Sequence, residues 1–61
     1  MKPIFVIESV IHPGSFYSER HNAFKGFLFT TRYENFTVVE LAIKKVVKIE
    51  PCMITKVYID E

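Results

Sequence analysis

One cysteine, two glycines, three prolines and no tryptophan among 61 residues set the first limits. A lone thiol, Cys52, excludes an intrachain disulfide and suits a reducing compartment. The excess of charge is also missing. At net +1, the chain has no bulk field to draw it to nucleic acid or an anionic membrane. Long hydrophobic runs are absent too. No stretch approaches the ~20 apolar residues that span a bilayer. The run Ile4–Ile7 after Met1-Lys2-Pro3 is broken by Glu8 and is too short for a signal peptide. The expectation is one soluble, cytoplasmic domain over residues 1–61.

The hydrophobic content of 49% argues against disorder. A chain of this size buries only ~60% of the surface its unfolded form exposes. Small folds therefore lean on disulfides, a metal or a partner subunit. With disulfides excluded, self-association as a homodimer is the expected staple, because so much apolar surface exceeds what one small core hides.

The best-defined segment is 36–50. Thr37 and Glu40 stand in the spacing of a capping box, and Phe36 and Leu41 in that of a hydrophobic staple. Asn35 is a further capping candidate. Glu40, Lys44 and Lys48 recur at i, i+4, i+8, with Lys45 beside them, and Pro51 stops the ladder. Six Val and Ile residues, β-branched, favour a strand locally, but the box and the lysine spacing decide for a helix. Its apolar arc (Val39, Leu41, Ala42, Ile43, Val46, Val47 and Ile49) is wider than one sheet contact requires.

Three stretches read as strands by their β-branched and aromatic residues: 4–11, 24–33 and 52–59. Residues 12–23 open on the turn signal Pro13-Gly14 and read as a long polar connection, pinned by Phe16 and Tyr17. Asp60 and Glu61 read as a solvated end. The expected fold is α+β: a three-stranded antiparallel sheet in the order β-β-α-β, with one helix packed on one face. The other face, carrying the aromatics of the second strand and Tyr58, would be bare, and a bare apolar face on a small chain marks an interface.

Chemistry-bearing motifs are weak. His12, His21 and Cys52 match no zinc spacing. Ser15, Ser18, Glu19 and His21 supply hydrolytic residue types but no motif that fixes their geometry. No cofactor and no catalytic residue is expected. Lys44, Lys45 and Lys48 read as a solvated helix face, diluted by Glu40 and Glu50.

Lys25-Gly26-Phe27-Leu28-Phe29 resembles the aromatic strand motif of RNA-recognition-motif domains, and Ile4-Phe5-Val6 resembles their partner strand. That resemblance implies stacking rings at Phe5, Phe27 and Phe29, with Lys25 and Arg32 on phosphate. The segment Thr30-Thr31-Arg32 departs from the motif. The family's first helix and second strand do not fit between residues 11 and 24. In size, composition and element order the chain also resembles small phage-encoded accessory proteins, which implies inhibition or modulation of a host protein in the host cytoplasm. The leading expectation is a non-catalytic protein-binding module. Aromatic and arginine anchors dominate such surfaces, so the expected contact residues are Phe16, Tyr17, Arg20, Arg32 and Tyr33. A single-stranded nucleic-acid binder is the alternative. A structural subunit of a larger assembly is the third.

Overall fold

The computed structural model describes residues 1–60; Glu61 lies outside the described residues. The elements are β1 (Lys2–Ser9), β2 (Phe16–Ser18), β3 (Ala23–Lys25), a 3-10 turn (Phe27–Phe29), α1 (Phe36–Val46) and β4 (Cys52–Ile59). The class is α+β with one α-helix among the described residues, as expected. The antiparallel sheet has four strands rather than three, in the order β3-β2-β1-β4.

The extra strand comes from the segment read as a connection. Pro13 and Gly14 form a turn in which Ser15 N–H donates to His12 O (3.0 Å) and Gly14 takes φ 88°. Such a turn needs a residue that tolerates positive φ at its third position, and glycine does so without strain. The reversal sends Phe16–Ser18 back along β1. A second reversal follows at once. Asn22 takes φ 51°, its N–H donates to Glu19 O (3.2 Å), and Ala23–Lys25 pairs with β2.

The expected strand over 24–33 is therefore a correction. Only its first residues are extended in a ladder. After Gly26 the chain curls into the 3-10 turn, closed by Phe29 N–H to Gly26 O (3.0 Å) and Thr30 N–H to Phe27 O (3.2 Å). Alternating aromatics mimic a strand pattern, but β3 is already matched to β2 through Lys25, and Phe27 turns to meet Phe16 edge-on at 5.3 Å. Residues 30–33 then run back to the sheet, where Tyr33 forms a single bridge with Phe5.

The helix is shorter than 36–50 and differently capped. The Asn35 side chain accepts from Thr37 N–H (2.8 Å), so the cap precedes the Thr37/Glu40 spacing. An Asn cap satisfies an otherwise orphaned N–H. Phe36 lies edge-on to Phe5 at 5.4 Å. At the other end Lys48 N–H and Ile49 N–H donate to Lys45 O and Val46 O, a tightened last turn ahead of Pro51.

The helix covers the sheet face of Phe5 and Ile7, where Tyr17, Tyr33, Val39 and Val46 complete the core, with Phe24, Cys52 and Ile54 packed against it. Cross-strand neighbours share a face, so Tyr58 also belongs to the helix side and not to the opposite face. That opposite face is not bare at its centre, since Ile4 and Val6 are fully buried there. Glu50 locks the C-terminal turn to β1. Its carboxylate accepts from Ser9 Oγ, and Ser9 Oγ accepts from His12 N–H.

Candidate protein-interaction surface

The residues singled out in the sequence divide between two places. Phe16 and Lys25 are cross-strand partners and share the sheet face away from the helix. Phe27 packs on Phe16, and the Arg32 guanidinium sits 5.9 Å over the Phe27 ring. Phe29 lies edge-on to His21 at 5.9 Å, which ties the 3-10 turn to the hairpin loop. His21 is held in turn by Ser18 Oγ (2.8 Å from Nδ1). Arg20 is exposed on that same loop. Phe16, Lys25, His21, Phe27, Phe29 and Arg32 thus border one surface.

Tyr17 and Tyr33 do not join it. Both rings are core, at 7% and 6% exposure. Their hydroxyls donate to Asn22 Oδ1 (3.0 Å) and Glu19 Oε2 (3.2 Å), at a cleft of about 390 Å³ between the hairpin loop and α1. Burial, helped by the bond to Glu19 and its charge, pushes the Tyr33 phenol up to about 12. Phe5 also lies elsewhere, on the helix side against Phe36. The strand platform of three coplanar rings implied by the RNA-recognition resemblance is not assembled. Phe27 is on a turn, between Phe16 and Arg32.

Leu28 is not among the contact residues expected from the sequence. It is 86% exposed, and its neighbour Phe29 is 59% exposed. In an alternating apolar run Leu28 looks like an inward residue. The one local signal for a break is Gly26. The turn that carries Leu28 is anchored just beyond its end. Thr31 N–H (3.0 Å) and Thr30 Oγ1 (2.9 Å) both donate to Tyr17 O, and Glu19 N–H donates to Thr31 Oγ1 (2.7 Å). The apolar tip is held by the hairpin, while the cations Lys25 and Arg32 stand beside its base.

The other groups with chemical potential are tied into the fold. Ser9 and Ser18 are buried, each bonded within a turn. Burial, then the Glu50 charge, pushes the Cys52 thiol up. Among the described residues no three His, Cys, Asp or Glu side chains gather to hold a metal, and no helix is long and apolar enough to cross a membrane. Compared with known proteins, the chain matches no family model, no curated protein and no solved structure.

Proposed function

We propose that this chain is a small non-catalytic protein-binding module that acts by occlusion, covering a site on a larger protein, in the manner of an accessory or inhibitor protein. The observation that carries the reading is the tip Leu28-Phe29: two large apolar side chains held out in water on a turn bonded to the hairpin at Tyr17 and Glu19. A pre-ordered apolar anchor loses little conformational freedom on docking, which favours affinity. Lys25, Arg20 and Arg32 beside it suit a partner pocket with an acidic rim, since complementary charge directs encounter. The nucleic-acid alternative has weaker support, because base stacking needs open ring faces and Arg32 lies over that of Phe27.

The test is co-purification of the tagged chain from its source cells, beside a Leu28→Asp/Phe29→Asp variant with the same melting temperature. The reading expects one protein retained in near-stoichiometric amount by the wild type and lost at least tenfold by the variant. Equal retention by both, or retention of nucleic acid at low salt in place of protein, overturns it.

A further inference from the structure

β4 ends the sheet, so one of its edges meets no other strand. Its hydrogen-bonding phase can be read from β1. Val10 N–H donates to Pro51 O (3.0 Å), one step beyond the Ser9–Cys52 pair that closes the β1–β4 ladder. In an antiparallel ladder bonded and non-bonded pairs alternate. Odd residues of β4 therefore use their backbone groups toward β1. The N–H and C=O groups of Cys52, Ile54, Lys56 and Tyr58 point outward.

Edges of this kind are usually blunted by short length, proline, bulges or several charges. β4 has eight residues, contains no proline, and carries a single charge, Lys56. We propose that β4 pairs antiparallel with β4 of a second copy of this chain, joining two four-stranded sheets across a two-fold axis. The outward phase restricts the register, because outward residues must oppose outward residues. Two registers overlap the strands well. One sets Lys56 directly against its own counterpart, which places like charges opposite each other and is unfavourable. The other centres the axis on Thr55. Ile54 then opposes Lys56 of the partner subunit, Met53 opposes Val57 of the partner subunit, and the two Thr55 side chains meet as a non-bonded pair. That register separates the two lysines and covers Met53, which is half exposed in the single chain. A second copy fits the strand because its own sequence supplies the complement, the apolar Met53/Val57 pairs flanking a threonine pair.

The proposal is independent of the Leu28-Phe29 reading and uses the opposite edge of the sheet. Sedimentation of the wild-type chain at micromolar concentration is expected to give the mass of a dimer. Lys56→Pro removes an outward N–H from each β4 edge and is expected to weaken the dimer at least tenfold, with circular dichroism unchanged. Thr55→Cys in a Cys52→Ser background is expected to cross-link on mild oxidation. Non-bonded pairs bring Cα atoms to about 4.5 Å, within the range of about 4.4–6.8 Å that a disulfide spans. Wild-type Cys52 is expected to stay uncross-linked, being six residues, or about 20 Å, from its counterpart. A monomeric wild type, a dimer that survives Lys56→Pro, or cross-linking through Cys52 overturns the proposal.

Discussion

Phe5 and Tyr33 exchange two backbone hydrogen bonds, 2.7 and 2.9 Å long, across a bridge that no strand extends. β2 pairs with β1 near Glu8, and the returning chain occupies the same edge of β1 at Phe5. Thr31, two residues before Tyr33, bonds to Tyr17 of β2. The segment 30–33 therefore wedges between two strands that diverge. It seals the core with the Tyr33 ring and holds the 3-10 turn out from the sheet.

Tyr33 should govern both stability and its alkaline limit. Tyr33→Phe removes the bond to Glu19 and is expected to cost about 0.5–1.5 kcal/mol; Tyr33→Ala is expected to cost about 3–5 kcal/mol, as for other buried aromatics. Tyr33 titrates near 10.0 when unfolded and at about 12 when folded. Its contribution is whole below pH 10 and is lost as pH rises through about 12, because the folded state keeps a proton that the unfolded state has released. Urea melts from pH 9 to 12 should show that loss in the wild type and a shallower one in Tyr33→Phe.

The helix cap separates two accounts of the α1 start. Asn35→Ala should cost about 1 kcal/mol by denaturant melt, the usual penalty for losing such a cap. Thr37→Ala, which removes only the hydroxyl of the expected box, should fall within about 0.5 kcal/mol of wild type.

Glu50 should report on the lock between β1 and the C-terminal turn. The Ser9 hydroxyl, opposed by burial and aided by His12, holds its carboxyl below the usual carboxylate value. That contribution is present above the ordinary carboxylate range and is lost as pH falls through the depressed value. An NMR titration of the Glu50 side chain should show the depression in the wild type. In Ser9→Ala the titration should return toward the ordinary value.

Within the helix, burial and not hydrophobicity should set the cost of truncation. Val39 is fully buried, whereas Leu41 is exposed. Val39→Ala should cost about 2 kcal/mol, from lost transfer energy and the cavity left behind. Leu41→Ala, the larger deletion, should cost less than about 0.5 kcal/mol.

The parts legible in the sequence are those fixed by local chemistry. The turn at Pro13-Gly14, the strand at 52–59 and a helix opening near 36 and stopping before Pro51 follow from residue types and spacing. β2 was hidden because it has three residues, too few to show a period, and β3 showed only as the start of the expected strand over 24–33. The cap fell on Asn35 because its side chain reaches Thr37 N–H, leaving the Thr37/Glu40 pattern two residues out of place. Phe16 and Arg32, singled out by residue type, border the candidate surface. Tyr17 and Tyr33 match the same type but fill the core, a distinction that depends on which strand faces the helix. Leu28 carried no local mark of exposure, since its position is set by the wedge at 30–33.

The Leu28-Phe29 turn is where a partner is expected to dock. An NMR shift map of the 15N-labelled chain, with and without the protein it retains, measures this. The largest shifts are expected at residues 26–32 and at Phe16 and His21, with α1 little changed. Shifts concentrated on α1 residues 38–45, with the turn unmoved, would contradict the account.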